Sequence, residues 1–259
     1  MHKKKFKKPQ TPSTKSQNKV LHKTQPKVLP KSQSQTQART LKCQLHLHVA
    51  GDQQDNIKYS ATQAIDKAHE CKVDVLSITC HDTLIFNKKL QNYALKKGII
   101  LIPGIEKTID SAHILIYNCN KEVLQVDSFA KLKAYKKAHP EILVMAAHPF
   151  HRSKHSLIFK FFIHKNLLDC IEFCHFYSFL CNPNLLSKLC SKIYKKPLVA
   201  TSDIHYLGAF DYAYCLINSR PEKAAILKSL KTQTATNVTT KFSTLALIKL
   251  LYKLNKAVA

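Results

Sequence analysis

Histidine and carboxylate side chains recur along this chain at the points where short apolar runs end. His46 and His48 close the first run, and their two-residue spacing puts both imidazoles on one face of a strand. In α/β folds, functional side chains gather where strands end and loops begin, so we expect the residues at these positions to converge. The further members, in chain order, are Asp52, Asp55, His81, Asp82, Glu106, His113, His148, Asp203 and His205.

Convergence of six histidines with several carboxylates predicts metal coordination, because imidazole nitrogens and carboxylate oxygens are common ligands of divalent metals. A lone His-x-His or Asp-x-His pair is a weak signal, and a single strand-end histidine is more often a core or surface residue. The ordered series is specific. It also exceeds the ligands that one tetrahedral ion can use, which indicates two or three ions. We expect Mn²⁺ or Zn²⁺, with Fe²⁺ and Mg²⁺ as alternatives.

Other histidines and acids stand apart from this series. Glu172 and His175 end another predicted strand, where they either form a structural pair or support the ligands from behind. The histidines that fall in the N-terminal segment or on predicted helix surfaces are expected to take no part; they are His2, His22, His69, His139, His155 and His164.

The elements that must position these residues alternate between strands and helices, which predicts a parallel α/β fold, either a barrel or an open sheet. Strands are predicted near 43–49, 73–79, 99–103, 112–118, 142–147, 168–174, 197–202 and 212–217. Helices are predicted near 59–71, 87–97, 127–138, 154–165, 182–194, 221–231 and 243–255.

The composition separates a tail from a folded region. Residues 1–41 consist mainly of Lys, Gln, Ser, Thr and Pro without an apolar period, so we expect a disordered basic tail. Residues 42–259 are then expected to form one folded domain. The 259-residue chain is 45% hydrophobic, but it has no apolar run of the roughly 18 residues that a membrane helix needs. Nine cysteines without a CxxC pair or a secretory signal predict reduced thiols and a cytoplasmic location.

The charge favours an anionic partner. The chain has 41 basic and 16 acidic residues, a formal net charge of +25, and 12 of the basic residues lie in the first 42 positions. Only three of the 41 are arginine, whereas phosphate-reading proteins favour arginine forks. We therefore expect an anionic substrate, with at most weak nucleic-acid contact through the tail and no membrane span. With four glycines and no GxGxxG or GxxxxGK motif, a nucleotide-cradling loop is not expected.

Four segments stand in order between residues 41 and 208: QLHLHVAGDQQDNIKYSATQAIDKAHECKVDVLSITCHDT, LIPGIEKTIDSAHILIYN, VMAAHPFH and VATSDIHYLG. In content and order they resemble the motifs of the PHP (polymerase and histidinol phosphatase) family of metal-dependent phosphoesterases. The resemblance implies a distorted seven-stranded β/α (TIM-like) barrel with two or three metal ions at its C-terminal rim.

The resemblance also implies roles for individual residues. Glu106 matches the carboxylate that bridges two metals. For the third acid of the first motif we choose Asp55, with Asp52 as the alternative. Cys80 stands where the family has an aspartate, and we favour a strand-end thiol over a soft metal ligand. The full implied ligand set is His46, His48, Asp55, His81, Glu106, His113, His148, Asp203 and His205.

The predicted activity is hydrolysis of a phosphomonoester or a nucleotide-type phosphodiester by a metal-bound hydroxide. Glu106 and Asp203 are the predicted catalytic carboxylates. Arg152, four residues after His148, either meets a substrate phosphate or is an exposed helix-entry residue. The alternative is a nucleic-acid-binding protein, or an exonuclease-like module, that uses its basic surface and keeps the barrel as a scaffold. A full ligand set counts against this alternative, because buried histidines and carboxylates are costly without metal.

Overall fold

The structure is a computed structural model that describes residue 2, residues 37–232 and residues 235–258. Its first sheet has five strands in the order β10-β9-β1-β2-β3. Strand β1 pairs in parallel with β2 and antiparallel with β9, so this sheet is mixed. The strands are β1 (Arg39–Gln44), β2 (Val75–Leu76), β3 (Ile100–Leu101), β9 (Ala213–Ser219) and β10 (Thr236–Thr239).

The second sheet also has five strands, in sequential order from β4 to β8. Strands β4, β5 and β6 pair antiparallel, whereas β6, β7 and β8 are parallel. Two isolated bridges, Leu47 with Ile204 and His81 with Glu106, join this sheet to the first. The strands are β4 (Gly104–Ile109), β5 (Ala112–Tyr117), β6 (Leu143–Ala146), β7 (Cys170–Cys174) and β8 (Leu198–Thr201).

The mixed α/β class is confirmed, but the seven-stranded barrel and the wholly parallel sheet are wrong. Within 37–232 and 235–258 there are ten strands in two sheets and no closed barrel. One cause is the β4–β5 hairpin, whose two-residue turn is Asp110 and Ser111 with φ of 46° and 65°. Positive φ at both turn positions is typical of a type I′ hairpin, which usually contains glycine. The sequence lacks that glycine, so the antiparallel pair was not predicted.

Seven α-helices of the described chain cover the sheets. Helix α1 begins with a capping box, in which Ser60 and Gln63 each accept a hydrogen bond from the other's backbone N–H. No helix among the described residues is long and apolar enough to cross a membrane. The helices are α1 (Ala61–Glu70), α2 (Lys88–Lys96), α3 (Phe129–Ala138), α4 (Phe159–His164), α5 (Asn184–Tyr194), α6 (Lys223–Thr232) and α7 (Thr244–Val258).

The core lies on both faces of the second sheet, as strand β5 shows. Alternate side chains of a strand point to opposite faces. Ile114 and Ile116 pack in the cluster under α3, whereas Leu115 and Tyr117 pack in the cluster that holds β1 and β9. The Tyr117 hydroxyl donates to the Leu45 carbonyl across this second cluster. These contacts fix the ends of both sheets relative to each other.

The described chain begins earlier than the predicted domain. Strand β1 starts at Arg39, which pairs with Ser219, so the last residues of the predicted tail belong to the sheet. Positions 1 and 3–36 lie outside the described residues, and the division into a basic tail and a hydrolase domain stays a prediction.

Candidate metal centre

The predicted ligands meet where strands of the two sheets end. His46 and His48 follow β1, and their backbone is held by bonds from Ile204 N–H to the His46 carbonyl and from His48 N–H to the Ile204 carbonyl. His81 follows β2 and bridges to Glu106 in β4. The bridges that join the sheets therefore also bring the ligands together.

Glu106 lies at the centre of the cluster. Its side chain is 1% exposed, and five imidazole rings surround its two carboxylate oxygens. Ring nitrogens lie 2.9, 3.3 and 3.2 Å from Oε2, and these belong to His46, His48 and His81. Ring nitrogens lie 2.9 and 3.0 Å from Oε1, and these belong to His113 and His148.

Asp203 completes one side of this arrangement. Its Oδ1 lies 3.3 Å from Nε2 of both His46 and His48. Four ligand atoms, one from each of these residues and one from Glu106, lie within 4.8 Å of one another. This spacing is small enough for a single ion to contact all four.

The two acids of the first loop have different surroundings. The Asp52 side chain is fully buried and accepts bonds from Nδ1 of His48 at 2.8 Å and from the backbone and Nδ1 of His81. Asp55 is 12% exposed, and its Oδ2 lies 2.9 Å from Nε2 of His205 and 3.3 Å from Nδ1 of His81. Asp52 thus bonds Nδ1 of both histidines, and Asp55 also reaches His205. One ligand atom each of His48, Asp52, Asp55 and His81 lie within 4.8 Å of one another, so both acids are candidate ligands.

Glu172 orients His46 from the opposite side. This fully buried carboxylate accepts a bond from Nδ1 of His46 at 2.7 Å, which leaves Nε2 facing Glu106 and Asp203. The Thr201 hydroxyl and the His148 backbone N–H also donate to Glu172. A carboxylate on the rear nitrogen fixes the ring orientation and strengthens a histidine as a metal ligand. Of the two roles left open for Glu172, the structure shows support for the ligands.

The electrostatics of the cluster favour exchange of protons for metal. Burial lowers the pKa of His46, but Asp203, Glu106 and Glu172 outweigh it and raise that pKa well above its usual value. The pKa of His48 is raised in the same way by Asp203, Asp52 and Glu106. Burial raises the pKa of Glu106, yet the surrounding imidazoles hold it well below its usual range. Without metal, protons on the histidines balance the carboxylates.

Several buried ring nitrogens have no hydrogen-bond partner within the described part of the chain. They are Nε2 of His48, both nitrogens of His113 and Nδ1 of His148. Buried polar atoms are normally bonded, and each exception requires an explanation. Nε2 of His48 and Nδ1 of His113 face Glu106 oxygens at short range without hydrogen-bond geometry, as metal ligands would. The donor set therefore fits divalent metal ions.

Backbone strain also concentrates at the cluster. Asp203, His148 and Asp82, which follows His81, have φ of 45°, 26° and 48°. Residues other than glycine rarely adopt positive φ, and such strain of about 1–3 kcal/mol each persists where tertiary contacts impose it. Asp82 is held there by Lys107 Nζ at 2.6 Å and by the backbone and hydroxyl of Thr108. It therefore anchors the β4 backbone rather than facing the ligands.

Cys80 is a buried structural thiol. Its sulfur accepts a bond from the Val49 backbone N–H at 3.3 Å. Burial raises the pKa of the thiol to about 11, so it stays protonated at neutral pH. A protonated thiol is a poor metal ligand. This agrees with the expected strand-end thiol.

Three histidines near the cluster have roles that sequence reasoning missed. His155 was expected on a helix surface, but α4 begins at Phe159, and the His155 ring stacks on His113 with centroids 4.3 Å apart. His175 is buried and His151 is half-buried, and within the described residues no ring nitrogen of either has a hydrogen-bond partner. Burial lowers their pKa values to about 4 and about 3, so both rings are neutral.

A cavity of about 570 Å³ adjoins the cluster. His148 and Asp203 line the cavity on the side of the ligand cluster, and His151 lies beside them. Arg152 is exposed on its wall, at the position predicted for a phosphate contact. The rest of the lining is mainly apolar and comes from Phe150, Phe176, Leu180, Pro183, Leu247 and Leu251. No pattern in the sequence predicts this wall, because its residues come from two separate loops and from α7.

Comparison with known proteins identifies the fold. No family model and no curated protein matches the sequence. A two-domain protein from Bacteroides vulgatus that contains a predicted PHP-like metal-dependent phosphoesterase has a TM-score of 0.59 and 17% identity, over 84% of this chain and 70% of that one. The lesion-specific endonuclease EndoQ from Pyrococcus furiosus has a TM-score of 0.57 and 13% identity, over 85% and 68%.

A third similar structure is Endonuclease Q in complex with a 27-mer duplex substrate with an abasic lesion at the active site. Its TM-score is 0.58 at 12% identity, and the match covers 85% of this chain and 69% of that one. The described chain therefore has the fold of PHP-like metal-dependent phosphoesterases, as the sequence motifs indicated.

Proposed function

We propose that this protein is a metal-dependent phosphoric ester hydrolase with a dinuclear or trinuclear site. The observation that carries the proposal is the position of Glu106, whose two oxygens face different histidines. A carboxylate that presents one oxygen to each of two ligand groups is suited to bridge two ions. The fold shared with PHP-like phosphoesterases supports the same reaction class.

The distances support a grouping of the ligands around Glu106. One ion would be held by His46, His48, Asp203 and Oε2 of Glu106, whose ligand atoms lie within 4.8 Å of one another. A second would be held by Oε1 of Glu106 with His113 and His148. A third would be held by Asp55, His81 and His205, which contact one another through Asp55. Asp52 and Glu172 would position these ligands.

Divalent ions, when bound, lower the pKa of a water ligand toward 7 and offset the charge on phosphoryl oxygens. The chain supplies the rest. Glu172 and Asp52 orient imidazoles so that their front nitrogens face the cluster. Glu106 and Asp203 supply the negative charge that would keep closely spaced cations together. Arg152 is the basic side chain of the cavity wall and is suited to contact a substrate phosphate.

The cavity limits the substrate class. The cavity has a volume of about 570 Å³ in all, so a phosphate at His148 and Asp203 would place the esterified group in the part between Phe150, Phe176 and Leu180. Apolar and aromatic walls favour a group with an apolar or planar face over a plain sugar. A nucleotide-type diester remains one candidate, since Endonuclease Q has a similar fold and takes a duplex substrate. A small aryl or nucleoside monoester is the other.

The expected partners follow from the same features. The substrate is a small phosphorylated anion, and nucleic acid would gain at most a weak contact through the lysine-rich N-terminal segment. We place the protein in the cytoplasm, since all nine cysteines are free thiols and seven are buried.

The test is a substrate panel on metal-reconstituted protein. Purified protein is loaded with excess Mn²⁺ or Zn²⁺, desalted, analysed for metal and assayed with phosphomonoesters, dinucleotides and abasic-site duplex DNA. We expect at least two ions per chain and turnover of at least one ester class. The Glu70→Gln variant, on the exposed face of α1, is the matched control for handling. At most one ion under every condition would contradict the multinuclear site, and full loading without hydrolysis of any ester would contradict the reaction.

A further inference from the structure

One face of the protein exposes most of its large apolar side chains. We define the apolar face by twelve exposed residues on α4, on segment 176–183, on α5 and on α7. Elsewhere among the described residues, outside 158–252, the large exposed apolar side chains are Leu95 and Leu124. The apolar face consists of Phe159, Phe162, Ile163, Phe179, Leu180, Leu185, Leu186, Leu189, Ile193, Leu245, Ile248 and Leu251.

Contacts join these elements into one surface. On one side, Phe162 of α4 packs against Tyr194 of α5, with ring centroids 6.5 Å apart. On the other side, Ser178 forms an isolated β-bridge with Phe242, and the hydroxyl of Thr244 at the start of α7 donates a hydrogen bond to the Ser178 hydroxyl. Segment 176–183 leads directly into α5, so the elements follow one another across the surface in the order α4, α5, segment and α7.

Helix α5 has the polarity opposite to that of an ordinary surface helix. It buries its small or polar residues, Asn184, Ser187 and Cys190. It exposes 62% of Leu185, 52% of Leu189 and 60% of Ile193, which repeat every four residues. A helix of a globular protein normally turns its apolar stripe to the core. Exposed apolar patches of this extent mark interaction sites.

The four elements of the apolar face carry charge of one sign, and the acid beside them is Asp110, next to α4. Exposed lysines of the same elements are Lys188, Lys192 and Lys195 on α5, Lys241 before α7 and Lys249 within it. The Lys241 ammonium lies 4.6 Å above the Phe179 ring. The four elements contain no Asp or Glu, since the acids between 142 and 202 are Asp169 and Glu172, in or beside β7.

We propose that the apolar face binds the surface of an anionic lipid bilayer. Leucine, isoleucine and phenylalanine flanked by lysine is the composition of protein surfaces that lie in the membrane interface, with apolar groups among the acyl chains and lysines at the phosphates. The proposal does not depend on the metal centre. Leu180 and Leu251 line both the apolar face and the cavity, so a bound bilayer lies beside the cavity entrance.

Two other partners fit the surface less well. A second copy of the chain would bring lysine-rich surfaces without carboxylates together, and like charges across an interface are unfavourable. Nucleic acid could use the lysines and the three phenylalanines of the face, but its other nine apolar side chains are leucine and isoleucine, which neither stack on bases nor bind phosphate. An anionic lipid surface satisfies both the apolar and the charged residues.

The experiment is vesicle flotation with the full chain. Vesicles of phosphatidylcholine alone are compared with mixed phosphatidylcholine and phosphatidylglycerol vesicles. We expect binding to the mixed vesicles that is at least about tenfold tighter than to the neutral ones and that weakens with added salt, because exposed charges are screened. The triple variant Leu185→Gln, Leu189→Gln and Ile193→Gln should bind mixed vesicles at least about tenfold more weakly, because it removes the inserted side chains.

The controls keep the test decisive. Leu95→Gln combined with Leu124→Gln removes exposed apolar side chains elsewhere and should leave binding unchanged. Phe179→Ser lies outside the helices and should also weaken vesicle binding. It replaces the triple variant in the test if circular dichroism shows that the triple variant is unfolded. Every variant keeps the lysine-rich N-terminal segment, so undiminished binding of the triple variant would assign binding to that segment and overturn the proposal.

Other outcomes would also overturn it. Absence of vesicle binding, or equal binding to neutral vesicles, would remove the anionic bilayer as the partner. Light scattering that shows a dimer which the triple variant dissociates would assign the apolar face to self-association. Duplex DNA binding that the triple variant abolishes would assign it to nucleic acid.

Discussion

The candidate site has two walls that differ in charge. The ligand wall consists of the candidate metal ligands around Glu106, and the cavity wall consists of the loops and α7 that line the adjoining cavity. On the ligand wall, carboxylates surround His46 and His48 and raise their pKa values. His151 on the cavity wall is half-buried, and His175, later in the chain, is buried. Neither ring has a bonded carboxylate among the described residues, and desolvation lowers their pKa values to about 4 and about 3. Carboxylates thus keep protons on the rings of the ligand wall, as a site proposed for cations requires, whereas His151 leaves its part of the cavity wall uncharged.

The largest effect that tests this contrast is loss of the central carboxylate. Glu106→Gln should abolish turnover and lower metal content by more than one ion per chain. The amide keeps the shape of the carboxylate but loses the charge that offsets closely spaced cations. Elemental analysis and a rate assay check the result.

Glu70→Gln is again the control, because Glu70 forms only an exposed ion pair with Lys67, and such pairs contribute little to stability. Retention of full metal and a near-normal rate by Glu106→Gln would show that Glu106 is not the bridge. The ligand wall would then lack its central element.

A smaller effect is expected from the carboxylate behind His46. Glu172→Gln removes the charge that accepts the Nδ1 proton of His46. Loss of such a supporting partner weakens metal binding by about 10- to 100-fold, while the front ligands remain. We therefore expect weaker binding in a metal titration but full stoichiometry at saturation.

Glu141→Gln, an exposed residue paired with His139, serves as the matched control. A loss of stoichiometry in Glu172→Gln equal to that of Glu106→Gln would mean that Glu172 is itself a ligand.

The pH dependence should separate the metal-free and metal-loaded proteins. The raised pKa values of His46 and His48 mean that protonated rings stabilise the metal-free fold. That stabilisation is complete below the ordinary histidine pKa of about 6.5 and is lost as the pH rises through the raised value. Metal replaces these protons, so metal affinity should rise with pH and binding should release protons.

Two measurements check this. Titration calorimetry in buffers with different ionisation enthalpies should give different heats, and the gap in Tm between loaded and metal-free protein should widen as pH rises. Heats that do not depend on the buffer would show that the histidines are already neutral before metal binds.

The sequence predicted the ligand wall better than the cavity wall for a physical reason. His46, His81 and Asp203 directly follow short apolar runs, and strand ends converge in any α/β arrangement. Predicted helices such as 87–97 and 127–138 agree with α2 and α3, because their apolar periodicity is local. The sequence leaves Asp52 and Asp55 as alternatives because both lie in one loop, and in the structure both present an oxygen to the same group of ligand atoms with His48 and His81.

The strands and the cavity wall that the sequence does not predict depend on tertiary contacts. Strand β4 was not predicted because its hairpin turn lacks glycine, and β10 was not predicted because TNVT is short and polar. The role of His151 depends on segment 176–183 and on α7, which approach it from distant parts of the chain. Periodicity along the sequence carries no information about such contacts.

The smallest effect is expected at Arg152, on the cavity wall. Because Arg152 is exposed and shows no contact with the clustered ligands, Arg152→Ala should leave metal content and Tm unchanged. If Arg152 contacts the substrate phosphate, the loss of one charge-assisted hydrogen bond at an exposed site raises KM by about 5- to 30-fold, with a smaller change in kcat. Arg152→Lys should recover part of the loss, because the charge returns without the bidentate geometry. Arg220→Ala, an exposed arginine paired with Glu222 outside the cavity lining, is the matched control. An unchanged KM in Arg152→Ala would limit substrate recognition to the apolar groups and the metal ions. The cavity wall would then contribute no charge to substrate binding, and all the charged contacts would come from the ligand wall.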